Sequence, residues 1–139
     1  MHLLTIAAFA LLLQDATNEE WYGKTVQQLA GMNREAEDLL AHGKLEQASA
    51  IIAKGQPLES RLLSVPRPTL AAMEAASDCD HLYGRTFLLS HNYVWARMMF
   101  QKNLARWKNW MPQTPDTARR LKQAQDAIAE CERKMDSHH

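Results

Sequence analysis

The sequence predicts an all-α protein built from antiparallel helical hairpins. Three observations predict it. Only five Gly and five Pro interrupt the 139 residues. The stretches between them are rich in Ala, Leu, Gln, Glu, Lys, Arg and Met, which favour helix. Apolar residues recur at three- and four-residue steps, and no period-two run is long enough to be a strand. The length fits one ordinary domain, and 46% apolar residues are enough to pack its core.

The chain opens on an apolar run, residues 3–13, LLTIAAFALLL. A membrane-spanning helix needs about 20 residues, so this run is too short to cross a bilayer. It matches the apolar region of a secretory signal. Residues 1–16 are therefore expected to be a signal peptide cleaved near Ala16, and the protein to be exported, periplasmic or secreted. Its two cysteines, Cys79 and Cys131, are expected to be free or buried thiols rather than a disulfide.

Asn18 is expected to cap the first helix, with Glu19 and Glu20 in its first turn. The stripe Tyr22, Val26, Leu29, Asn33, Ala36 and Leu40 follows, in one helix or, given Gly23 and Gly31, two. Gly43 suits a left-handed C-cap. A second helix starts near Leu45, with Ala48, Ile52, Gly55, Leu58 or Glu59, and Leu62 on one face. Pro57 is expected to kink it, and Pro66 and Pro68 end it. Thr69 caps a third helix, either broken near residues 77–80 or continuous through them. A fourth runs from Tyr93 to about Met111, with Ala96, Phe100, Leu104 and Trp107 inward. Thr114 or Asp116 caps a fifth, with Leu121, Ala124, Ala127 or Ile128, and Cys131 inward. Residues 17–30 read as an N-terminal helical extension, 31–135 as the repeat domain and 136–139 as a disordered tail.

Two turns match at an offset of 48 residues. Leu39, Leu45 and Ala48 correspond to Phe87, Tyr93 and Ala96; Ile52 corresponds to Phe100 and Ala36 to Gly84. Antiparallel helices that cross closely need small side chains at the crossing, and Ala48, Ala96 and Gly84 supply them. Leu39, Ile52, Phe87 and Phe100 fill the wedge beside it. A single hairpin cannot bury its apolar face, so hairpins stack. The series Leu82-Tyr83-Gly84, Phe87, His91-Asn92-Tyr93, Ala96 and Phe100-Gln101-Lys102 resembles the tetratricopeptide repeat (TPR), in its longer kinesin-light-chain-like variety. The proline-bearing loops 66–68 and 112–116 resemble that variety's connections. The resemblance covers residues 31–134, as two repeats and a closing helix. It departs from the family in its long period, in Gly55 and Asn103 where alanine is expected, and in Pro57.

The resemblance implies antiparallel hairpins stacked as a short TPR-like right-handed superhelix. It also implies that the first helix of each pair lines a groove for a protein or peptide partner. Carried onto this chain, the groove residues are Asn33, Glu37, His81, Arg85, Lys122 and Asp126. They do not reproduce the family's cation-asparagine clamp for carboxylate tails. Two repeats are few for stability, so self-association into a homo-oligomer is also implied.

Lys+Arg is 16 and Asp+Glu is 16, so no whole-protein field draws the chain to nucleic acid or an anionic membrane. The first 84 residues are nonetheless acidic and the remainder basic. Asp78-Cys79-Asp80-His81 gathers several metal-ligand types, but it reads better as a capped helix start than as a metal site. His42 and His91 sit in matching turns and read as tolerated polar residues. The fourth helix, with Trp95, Arg97, Lys102, Arg106, Trp107, Lys108 and Trp110, could stack bases or lie on an anionic membrane; it reads better as part core and part loop packing. Seven Met residues read as interface filler. No catalytic triad, zinc-hydrolase, phosphate-loop or dinucleotide motif is present. The expectation is an exported interaction module rather than an enzyme, with no cofactor, no metal, no nucleic acid and no stable membrane span. The alternatives are a helical bundle that binds a metal or small ligand, or a nucleic-acid or membrane-surface binder acting through helix 93–111.

Overall fold

A computed structural model of the chain describes residues 15–137. The expected signal peptide therefore lies outside the described residues except for Asp15 and Ala16, which begin a short 3-10 turn, Asp15–Asn18. Five helices follow: α1 (Glu20–Ala41), α2 (Leu45–Leu63), α3 (Leu70–Leu89), α4 (Tyr93–Asn109) and α5 (Pro115–Ser137). Each packs on its neighbour in sequence, and α1 also packs on α3. The protein is all-α, two antiparallel hairpins and a closing helix, with no strand among the described residues.

The two hairpin turns share one backbone solution. In the first, the N–H of Lys44 donates to the Leu39 carbonyl (2.9 Å) and that of Gly43 to Leu40 (3.1 Å). In the second, Asn92 donates to Phe87 (2.8 Å) and His91 to Leu88 (3.1 Å). These nested bonds are the Schellman motif, which needs a left-handed residue after the helix. Gly43 takes that role at φ 72°, and His91, 48 positions later, takes it at φ 64°. The sequence repeat is thus a repeat of backbone geometry.

Small residues mark the helix crossings. Ala48 and Ala96 are both 0% exposed. A Cβ on Gly84 would lie 2.5 Å from the Phe100 ring, so only glycine lets α3 approach α4 this closely. A Cβ on Gly55 would lie 3.0 Å from Leu29 and 3.3 Å from Cys79, so glycine there serves the crossing that alanine was expected to serve. Burying Phe100 and Trp107 completely contributes roughly 2–3 kcal/mol each. The Trp107 Nε1–H donates to Ser77 Oγ at 2.8 Å, so its polar edge enters the core satisfied.

The structure corrects some local expectations and decides between alternatives at others. Glu19, not Asn18, precedes α1, because Asn18 is held in the 3-10 turn. α1 is one helix across both glycines, with no break at residues 30–31, and α5 continues to Ser137. α2 runs unbroken through Pro57, whose ring faces solvent. α3 is continuous, so Asp78 and Asp80 lie mid-helix and cap nothing. Met111 is 74% exposed and not part of the α4 core stripe, since α4 ends at Asn109. Its inward positions are Ala96, Phe100, Asn103 and Trp107. Thr69 does cap α3, accepting from the Ala72 N–H at 3.2 Å. Thr114 caps α5 reciprocally with Thr117: each hydroxyl accepts the other's backbone N–H, at 3.1 and 2.7 Å.

Candidate functional site

The first helix of each hairpin and the closing helix face one another across an open cleft of about 350 Å³. α1 supplies Ala30, Asn33, Arg34 and Glu37; α3 supplies Asp78, His81, Leu82 and Arg85; α5 supplies Arg119, Arg120 and Gln123. The α3 set is the α1 set moved on by the 48-residue offset.

α5 reaches α3 through Arg120. Its guanidinium is almost buried and meets Asp78 at 2.8 Å, Asp116 at 3.1 Å and Glu74 at 3.4 Å. Burial alone would lower its pKa, but Asp78 and Asp116 outweigh that and raise it. Hydrogen bonds from Arg119 and Arg120 hold Asp116 below the usual carboxylate range. Arg85 lies 3.8 Å from Glu37, a loose pair across α1 and α3. Arg34 has no ion-pair or hydrogen-bond partner among the described residues. His81 is pulled down to about 4 by burial and by the Arg85 charge, with Asp78 acting the other way. It is therefore a neutral imidazole at neutral pH, its ring tilted at 48° to that of Phe100 with centroids 5.4 Å apart.

Four of the six residues expected in the groove, Asn33, Glu37, His81 and Arg85, line this cleft. Asn33 is committed to packing: its amide donates to the Ala75 carbonyl at 2.9 Å and ties α1 to α3. Lys122 and Asp126 do not line it; they form an exposed ion pair along α5 at 3.0 Å. The position beside Lys122, Gln123, faces the cleft instead, 42 residues after His81. Arg34, Asp78, Arg119 and Arg120 were missed. Arg34 stands 48 residues before Leu82 and could have been found from the repeat. Arg119 and Arg120 could not, because the spacing from α3 to α5 is shorter than that from α1 to α3.

A second polar cluster lies inside the protein. Glu59, Asp80 and Arg106 are brought together from α2, α3 and α4, all nearly or fully buried. Arg106 meets Asp80 at 3.1 Å and Glu59 at 3.5 Å, and also bonds Asn103. Lys102 reaches Asp80 from the rim at 3.4 Å. Glu59 Oε2 and Asp80 Oδ1 are buried with no donor facing them among the described residues. A proton on Glu59 supplies one. Burial, then the hydrogen bond and charge of Asp80, push Glu59 up to about 8 against the pull of Arg106 and Lys102. Burial and the Glu59 and Asp80 charges push the neighbouring Cys79 thiol up to about 12, and burial also raises Cys131. Both cysteines are buried and unbridged.

This geometry disperses the Asp78-Cys79-Asp80-His81 run. Asp78 turns to Arg120, Cys79 and Asp80 enter the core, and His81 leans on Phe100. Of the seven basic and aromatic residues of the alternative surface on helix 93–111, Arg106 and Trp107 are internal. His42 bonds its own helix at Asp38, and His91 bonds Tyr93, so the two do not converge. No described helix is long and apolar enough to cross a membrane.

Fold and cleft together define an all-α protein of stacked hairpins with an arginine-lined inner face. No protein-family model matches the chain, and neither a curated protein nor a solved structure matches it.

Proposed function

We propose that this protein is an interaction module of tetratricopeptide-like design that holds a segment of a partner protein in the cleft between α1, α3 and α5. The observation that carries this reading is the equivalence of the cleft walls: successive first helices present the same positions, 48 residues apart, to one open space. Open clefts lined by exposed polar side chains suit an extended chain better than a small molecule, which needs a largely enclosed and apolar site. The ion pair with Asp78 pre-arranges the nearly buried Arg120, so little of its side-chain entropy is lost when a partner enters. Export to the periplasm or beyond is part of the proposal and rests on the apolar run at residues 3–13.

The test is site-specific photo-crosslinking in cells that produce the protein. A photoreactive residue at position 123, in the cleft, is expected to capture a partner that the same residue at position 122, on the outer face, does not. Equal capture from both positions, or none from 123, would reject the reading.

A further inference from the structure

The cleft is walled by the first helix of each hairpin and by α5. The second helices, α2 and α4, contribute none of its lining residues. Charge divides along the same line. α2 and α4 together carry six Lys and Arg against two Asp and Glu. α1, α3 and α5 carry eight against twelve. The zero net charge of the chain therefore hides an inner and an outer layer of opposite sign. With the buried Glu59 and Arg106 set aside, the outer helices present Lys54, Arg61, Arg97, Lys102 and Lys108 against Glu46 alone. Lys54 and Lys102 hold the same position in the two hairpins, 48 residues apart. Lys102 also reaches the buried Asp80 at 3.4 Å, yet its side chain stays half exposed.

The same layer exposes apolar side chains. Val94, Trp95 and Met98 are 51%, 56% and 47% exposed on the first two turns of α4. Their spacing of three and four residues sets them side by side. Hairpin packing does not demand them, because the first hairpin has Glu46, Gln47 and Ala50 at those positions. Trp95 has Phe87 as a neighbour, ring centroids 6.3 Å apart, and still keeps more than half its surface in solvent. Residues 81–115 contain no Asp or Glu, so α4 and its flanking turns hold cations only.

We infer that the outer layer docks peripherally on an anionic lipid surface, with Val94, Trp95 and Met98 entering the boundary between headgroups and acyl chains. The cations of α2 and α4 meet lipid phosphates, and their methylene stems lie along the apolar patch. Tryptophan concentrates at that boundary, because its ring is apolar and its N–H is polar. A helix with Trp and aliphatic side chains beside Lys and Arg lies in the interface plane. Nucleic acid fits this face less well. Its phosphates would take the cations, but a stacking platform needs a row of rings, and this patch has one. Val94 and Met98 would gain nothing from a phosphate backbone. Docking through α2 and α4 leaves the cleft between α1, α3 and α5 open, so the inference does not depend on what the cleft holds.

The experiment is vesicle flotation of the full-length protein at low and raised salt. The vesicles are phosphatidylcholine alone or phosphatidylcholine with phosphatidylglycerol, and single-stranded DNA is titrated in parallel. The variants are Lys54→Gln/Lys108→Gln, Trp95→Ser and Val94→Ser/Met98→Ser. All the substituted side chains are exposed, and circular dichroism checks that each variant folds. The expected result is binding that requires the anionic lipid and weakens as salt rises. Loss of the two lysines should weaken it about tenfold or more, and each apolar variant should weaken it by a similar factor. Brominated acyl chains should quench a tryptophan signal in the wild type that Trp95→Ser lacks. Equal binding to neutral vesicles would overturn the inference. So would anionic binding indifferent to the lysine pair or to Trp95→Ser, which is what the apolar run at residues 3–13 would produce. Absence of vesicle binding, with or without binding of DNA, overturns it as well.

Discussion

At the residue scale, the most informative position is His91. A left-handed backbone at a residue with a Cβ costs about 1 kcal/mol, and glycine escapes it. The first turn meets the requirement with Gly43 and the second with His91. The His91 ring is exposed and hydrogen-bonds its local neighbour Tyr93 at 2.8 Å. His91→Gly is therefore expected to stabilise the protein by about 0.5–1 kcal/mol, read as a higher urea midpoint at unchanged slope. A lower midpoint would mean that the His91–Tyr93 contact outweighs the backbone strain. Gly84 shows the opposite economy of space, because its missing side chain is what admits Phe100. Both features sit within a pattern that the sequence displayed, yet only coordinates show that His91 carries the special backbone and that Gly84 faces an aromatic ring.

At the scale of elements, the helices and their ends followed from ordinary signals. Thr69 and Thr114 cap, Gly43 stops, and the prolines separate the hairpins. α5 is the exception in its packing. It lies along α4, and Arg120 is its main polar link to α3. Asp78, Glu74 and Asp116 are each one-third to one-half exposed, so they regain water when Arg120 is lost. Arg120→Met is accordingly expected to cost about 1–3 kcal/mol rather than the larger penalty of a stranded buried charge. Hydrogen exchange should quicken in α5 while α1 and α2 stay protected. Equal quickening in all five helices would show that α5 is not held separately. The misassignment of Lys122 and Asp126 belongs to this scale too. The α3–α5 register is set by the length of α4 and of the loop after it. An error of one residue turns a helix face by about 100°, enough to replace Gln123 with Lys122.

At the scale of the whole molecule, the Glu59–Asp80–Arg106 cluster joins three helices and makes stability depend on pH. In the folded chain Glu59 binds its proton up to about 8, against 4.5 as its ordinary value. The folded state therefore holds more protons than the unfolded state in that window, and stability falls as pH rises through it. His81 acts in reverse: its pKa drops from 6.5 to about 4, so stability is lost as pH falls through that range. The two slopes oppose each other between 4.5 and 6.5, and Glu59 alone acts from 6.5 to 8. Denaturant titrations are expected to show stability decreasing across pH 6.5–8. Glu59→Gln, which keeps the shape and cannot ionise, should flatten that slope and leave the variant more stable than wild type at pH 9 by roughly 2–4 kcal/mol. An unchanged slope in the variant would assign the pH dependence to another group.

The sequence by itself determined the class of fold, the turns and most of the helix limits. Those depend on local forces: side-chain periodicity, caps, and residues that break or bend the backbone. The resemblance to the tetratricopeptide repeat, and not periodicity, suggested Asn33, Glu37, His81 and Arg85 as inner-face positions, and these four line the cleft. Only the tertiary structure decided which side chains are spent on packing and which face the cleft. It turned Asn33 to the Ala75 carbonyl, drew Arg106 and Glu59 into the core, and set Arg120 across to Asp78. Those outcomes follow from the approach of helices distant in sequence. A polar side chain's partner is fixed by that approach, and nothing in its own neighbourhood along the chain records it.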